Sequence, residues 1–142
     1  MRSGVRRHGS PMKTILAPFA LLVLGACATP PPSTAPALAG SQWTFTTIDG
    51  ATPASGKAHL AFEADRFSAN VGCNGMGGPW KIENGRLTAG PVIRTRMYCQ
   101  GPVWGQEEAV AALLDKGADI TVEGNRMTLR SGQHSAELIR DE

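Results

Sequence analysis

Few side chains in this sequence have the type and spacing for chemistry. Beyond residue 27 the thiols are Cys73 and Cys99, the imidazoles are His59 and His134, and Glu107 interrupts an otherwise apolar helical stripe. Two thiols and two imidazoles are zinc-ligand types, but their intervals match none of the short paired spacings such sites use, so no metal is expected. Covalent catalysis needs a cysteine or serine activated by a neighbouring base. Two histidines are available, but no nucleophile sits in a recognisable elbow, and no catalytic residue is assigned. Gly72-Cys73-Asn74-Gly75 with Gly77 and Gly78 invites comparison with a phosphate loop. It lacks the Lys-Ser/Thr pair of such loops, and no helix pattern follows it directly. The glycines read instead as a tight, bulged turn in which they supply positive φ. Glu107 has two readings: a site carboxylate, or a structural partner for Arg94, Arg96 or free backbone donors near a helix start. The structural reading is favoured, with Arg96 as the partner to test. No cofactor is implied by any of these groups.

The elements that must hold these residues are mostly short alternating strands. Gln42–Ile48 puts Trp43 and Phe45 on one face and Thr44 and Thr46 on the other. Leu60 and Phe62 alternate next, then Phe67, Ala69 and Val71 beyond a turn at Ala64-Asp65. Asn84-Gly85 separates two strand-like runs and is a strong hairpin signal, because both turn positions need positive φ. Ile120 and Val122 face Met127 and Leu129 across Gly124-Asn125, and a turn at Ser131-Gly132 leads to a last strand near Ala136–Ile139. Residues 102–116 break the pattern. Pro102 suits a first helical position, Val103, Glu107, Val110 and Leu114 recur at helical spacing, and Gly117 is a ready stop. The fold class is therefore mainly β with one helix (α+β): a small curved antiparallel sheet or open barrel on which the helix packs.

The front of the chain has a different purpose. Arg2, Arg6, Arg7 and Lys13 precede an apolar run from Ile15 to Leu24, which ends in Leu24-Gly25-Ala26-Cys27. A positive start, about ten apolar residues and a small-residue cleavage site make a secretory signal. Met1 and Met12 both remain open as its start. Leu24-Gly25-Ala26-Cys27 resembles the lipobox of bacterial lipoproteins. That resemblance implies cleavage after residue 26 and lipidation of Cys27, with palmitate among the acyl chains. It also implies that Ala28, where an Asp would retain the protein in the inner membrane, directs it to the outer membrane facing the periplasm. Several acyl chains give a stable anchor where one alone would not. Residues 27–37 are a lipid-bearing linker of Pro, Ala, Ser and Thr, too polar and stiff to build a core. The domain proper is residues 38–142.

Cleavage changes the charge. The whole chain carries 14 basic and 12 acidic residues, and the four basic ones before Cys27 leave with the signal, giving a mature net charge of −2. No basic patch remains to argue for nucleic acid. The compartment is oxidising, and lipidation consumes Cys27, so Cys73 and Cys99 are expected to pair as a disulfide across 26 residues.

Three islands carry a wider resemblance: Trp43; Gly72-Cys73-Asn74 with the glycines after it; and Thr95-Arg96-Met97-Tyr98-Cys99, followed by Glu107 in a helix. In order and spacing they resemble the META domain family, which includes the heat-inducible HslJ-type bacterial lipoproteins. The resemblance runs over residues 38–142, with one departure, Pro79 between Gly78 and Trp80. It implies a small open barrel-like sheet with a helix, a place in the cell envelope, a link to stress response, and no enzymatic activity. The resulting expectation is a monomeric, lipid-anchored binding or stress-protective module for a hydrophobic ligand or envelope component. The alternative is a secretion or assembly factor, or an inhibitor, that works through protein–protein contacts.

Overall fold

The computed structural model describes residues 37–142. The signal peptide 1–26, Cys27 and all but the last residue of the linker 27–37 lie outside the described residues. Nine strands and one helix follow in the order β1 (Ser41–Ile48), β2 (His59–Phe62), β3 (Arg66–Asn70), β4 (Gly75–Glu83), β5 (Arg86–Ala89), β6 (Ile93–Arg94), α1 (Pro102–Asp115), β7 (Ala118–Glu123), β8 (Arg126–Ser131) and β9 (His134–Arg140). All pairings are antiparallel, and the sheet order is β3-β2-β1-β9-β8-β7-β5-β4-β6.

The expectation of an open barrel is corrected by one further pairing. β3 also bonds to β4, Arg66 opposite Pro79 through Asn70 opposite Gly75. That contact joins the ends of an eight-stranded sheet into a closed barrel and leaves only β6 outside it. The same pairing corrects the reading of Gly75–Gly78 as a turn, since these residues are the first half of β4. Gly78 is there because the backbone of Pro91 crosses closely: a Cβ on Gly78 would lie 2.6 Å from the Pro91 carbonyl oxygen. The turn is confined to Val71–Asn74. Pro79 is tolerated inside β4 because its missing N–H falls on the side where the partner changes from β5 to β6. On that side its carbonyl still accepts from Gly90 N at 2.9 Å.

Alternation does the rest. Trp43, Phe45, Leu60, Phe62, Phe67, Ala69, Met76, Leu87, Met127, Leu129, Ala136 and Leu138 are buried and form one core with Leu113 and Leu114 of the helix. Trp43 is fully buried, its indole N–H donates to Ser41 Oγ at 2.8 Å, and the Arg140 guanidinium covers its ring at 4.7 Å. The helix begins at Pro102, has no side-chain cap, and stops before Gly117 at φ 78°. Its buried face packs against β1, β5, β8 and β9. Gln106 locks that position, accepting from Ala54 N at 2.7 Å and donating to Thr52 O at 2.9 Å.

The hairpin between β4 and β5 has Asn84 at φ 52° and Gly85 at φ 73°, the pair of positive angles a type I′ turn requires. Gly85→Val is expected to cost about 1–3 kcal/mol, the scale of a β-branched residue forced to positive φ. Denaturant unfolding of the variant checks this, and an unchanged midpoint would contradict it.

Candidate functional site

The islands singled out in the sequence converge on one side chain. Asn74, in the Val71–Asn74 turn, is buried beneath residues 95–99 and the start of α1. Its backbone N–H donates to Glu107 Oε2 at 2.9 Å, and its Nδ2 donates to Glu107 Oε1 at 2.9 Å and to Met97 O at 3.1 Å. Its Oδ1 accepts from Thr95 Oγ1 and Met97 N, both at 2.8 Å. Thr95 Oγ1 also accepts from Gly75 N at 3.1 Å. One amide thus ties the turn, the Thr95–Cys99 segment and the helix together. The disulfide Cys73–Cys99 closes the same junction, with Cα atoms 6.2 Å apart. Asn74 Nδ2 lies 3.5 Å from Cys99 Sγ. Gly72 stands at φ 130° with Ser55 and Val103 against it, where a Cβ would meet both side chains within 3 Å.

This arrangement bears on several expectations. Glu107 is the structural carboxylate, but its partner is Asn74 rather than an arginine. Arg94 pairs with Glu108 at 2.6 Å, and Arg96 has no carboxylate partner among the described residues. The physical reason is reach. The Asn74 amides donate one hydrogen bond to each Glu107 oxygen from inside, while Arg94 and Arg96 sit in an exposed segment. Cys73, Cys99 and Glu107 do cluster, with candidate ligand atoms within 4.8 Å of one another. In this state the sulfurs are bonded to each other and the carboxylate is held by Asn74, so the three are not a donor set. His59 and His134 stand elsewhere. His59 bonds Lys57 O at 3.0 Å, and His134 bonds Asp49 Oδ2 at 2.8 Å.

Outside this junction, Arg96, Met97 and Tyr98 of the Thr95–Cys99 island build a concave surface with Val92 and Trp104, which the sequence reading passed over. An open cleft of about 530 Å³ lies between α1 and residues 92–98, with Val92, Arg96, Met97, Tyr98 and Trp104 on its walls. Its volume is in the range of small-ligand sites. Among the described residues, five large apolar side chains are exposed, and four of them, Ile93, Met97, Tyr98 and Trp104, come from residues 93–104. That concentration makes a patch rather than the scattered apolar exposure every surface has. The Arg94–Glu108 pair forms one wall, and beyond it a smaller cleft of about 320 Å³ continues to Asp115 and Lys116. The helix carried a signal for this: Trp104, Glu108, Ala111 and Asp115 recur at helical spacing beside the buried stripe, and all four line the clefts.

A model of the META domain matches residues 36–142, which takes in every described strand and the helix. The chain belongs to the META domain family. The family expectation from the Trp43, Asn74, Thr95–Cys99 and Glu107 islands is thereby borne out. Escherichia coli (strain K12) heat shock protein HslJ is 31% identical over 64 residues, 44% of this chain and 46% of HslJ. The match therefore spans about half the length of that relative. Two structures solved by NMR share this fold. One, at 24% identity and TM-score 0.64, covers 72% of this chain and 90% of its own. The other, from Burkholderia xenovorans, at 21% identity and TM-score 0.58, covers 80% of this chain and 97% of its own. Within this META domain the Asn74–Glu107 junction shapes the cleft, because it fixes the backbone from which Arg96, Met97 and Tyr98 project.

Proposed function

We propose that this protein is a lipid-anchored component of the cell envelope, held through Cys27 in the outer membrane and facing the periplasm, whose META domain binds a ligand and is not an enzyme. The observation that carries the binding role is the cleft between α1 and residues 92–98, which two aromatic side chains and a methionine line together with Arg96, a guanidinium with no carboxylate partner among the described residues. Apolar side chains beside an unpaired guanidinium suit a hydrophobic ligand or envelope component with an anionic end. In this reading the domain contributes to stress protection by sequestering that ligand at the membrane surface. The N-terminal pattern of Lys13, the Ile15–Leu24 run and Cys27 supports the anchor. A specific observation also favours the second reading, action through protein–protein contacts. Tyr98 is 84% exposed, whereas a small-molecule site encloses its aromatic rings.

Two experiments test the proposal. Mass spectrometry of the full chain, purified natively from membranes, is expected to find a bound adduct. Replacing Trp104 and Arg96 together by alanine should remove that adduct and leave the melting temperature unchanged. Retention of the same adducts by the double variant would overturn the binding reading. For the anchor, Cys27→Ala is expected to abolish palmitate labelling and to shift the protein from the membrane fraction. A wild-type chain that takes up no label would overturn the anchoring.

A further inference from the structure

We infer that the cleft receives an extended protein segment, acidic and apolar in alternation, which adds as a strand to the free edge of β6; this rests on the binding role proposed for the cleft. The first observation is backbone geometry. Among the described residues β6 is the terminal strand of the sheet and pairs on one side only, with Met76 and Gly77 of β4. Thr95 N donates to Gly75 O at 3.1 Å, so Thr95 opposite Gly75 and, two residues on, Ile93 opposite Gly77 are the hydrogen-bonded pairs of the ladder. In an antiparallel ladder such pairs alternate with pairs whose N–H and C=O turn outward. The N–H and C=O of Arg94 therefore face away from β4, and those of Arg96 continue the same edge. A polar edge of this kind is a template for a further strand.

The second observation is what stands opposite that edge. α1 runs beside residues 92–98, and the two clefts meet at the Arg94–Glu108 pair, which lines both, so a chain lying along both from Trp104 to Asp115 passes over that pair. At 1.5 Å per helical residue the groove is about 16 Å long, and at 3.3 Å per strand residue it holds about five residues of extended chain. An edge strand beside a helix supplies backbone bonds on one wall and side-chain pockets on the other.

Charge supplies the third. Of the two guanidiniums in the larger cleft, Arg94 is taken by Glu108 and Arg96 is not. Glu107 also lines the larger cleft but is only 2% exposed, and Asn74 donates to both of its oxygens. The open charge is therefore positive and flanked by Met97, Tyr98 and Trp104. A carboxylate on the incoming strand meets Arg96, and an apolar side chain beside it meets Tyr98 and Trp104.

The test uses the full chain immobilised in detergent and a degenerate library of hexapeptides capped at both ends. Retained peptides are expected to be enriched in an acidic residue next to aliphatic or aromatic ones. Methylating alternate backbone nitrogens of a retained peptide should weaken binding at least about tenfold in the register that removes its bonds to β6, and little in the other. Arg96→Glu should shift the enrichment from acidic to basic residues. No enrichment, or equal binding by both methylated registers, would overturn strand addition. Titration with laurate, read from Trp104 fluorescence against a Trp104→Phe control, separates the two levels. Saturable laurate binding without peptide binding overturns the peptide inference and leaves the binding cleft standing, whereas no response to either overturns both.

Discussion

Asn74→Ala is expected to cost the domain about 2–4 kcal/mol, the scale of losing a hydrogen bond to a buried carboxylate and leaving its neighbours short of partners. The substitution keeps the backbone N–H on Glu107 Oε2 but strips Nδ2 from Oε1. Glu107 is only 2% exposed, so water cannot take the vacated place without opening the junction. Met97 loses the partners of both its N–H and its C=O in the same step. These part-buried groups, left unpaired, add up to about 1–3 kcal/mol each, less where the exposed Thr95–Cys99 segment relaxes to let water reach them. Urea unfolding of Asn74→Ala, Glu107→Gln and the double variant measures the coupling. The double variant should be more stable than the sum of the single losses implies, because the two groups depend on each other. Additive losses would show that the Asn74–Glu107 contact contributes little. Arg96→Ala is the matched contrast, expected within about 0.5 kcal/mol of wild type, since it removes an exposed side chain that no carboxylate holds.

Reduction of Cys73–Cys99 is expected to destabilise the domain by about 3–4 kcal/mol, from the chain freedom that a 26-residue closure removes from the unfolded state. For a domain of this size that loss lowers the melting temperature by about 15 °C or more. The fold should survive, because the apolar faces of the barrel strands and of α1 stay buried together without the bridge. The closed segment carries β4, β5, β6 and the Thr95–Cys99 run, so reduction also loosens the wall that presents Arg96, Met97 and Tyr98. Ligand binding in the cleft should weaken in parallel with stability. Thermal unfolding with and without a phosphine reductant, repeated on a Cys73→Ala, Cys99→Ala double variant, checks both effects. Two alkylatable thiols in the unreduced protein, or coincident melting curves, would contradict the prediction.

What the sequence alone determined is local. Alternation of Trp43 and Phe45, of Leu60 and Phe62, and of Met127 and Leu129 identifies half-buried strands because a strand's side chains point to opposite faces at period two. Asn84-Gly85, Pro102 and Gly117 mark a turn and the ends of the helix because each relieves a backbone restriction that other residues feel. Glu107 is conspicuous because a carboxylate on an apolar stripe must find a partner. Its partner was not legible. Asn74 lies 33 residues away on another element, and no short-range pattern connects a turn amide to a helical carboxylate across that distance. Closure of the barrel was hidden for a related reason. The strand that closes it opens with Gly-Met-Gly-Gly, and three glycines carry no side chain to show an alternating face. The cleft was hidden because its loop wall is exposed and carries no period; the helical spacing of Trp104, Glu108, Ala111 and Asp115 marks only the other wall. Only the tertiary structure brings Arg96, Met97 and Tyr98 beside Trp104, since the spacing between a loop and a helix is set by the Asn74 hydrogen bonds and the Cys73–Cys99 bridge beneath them.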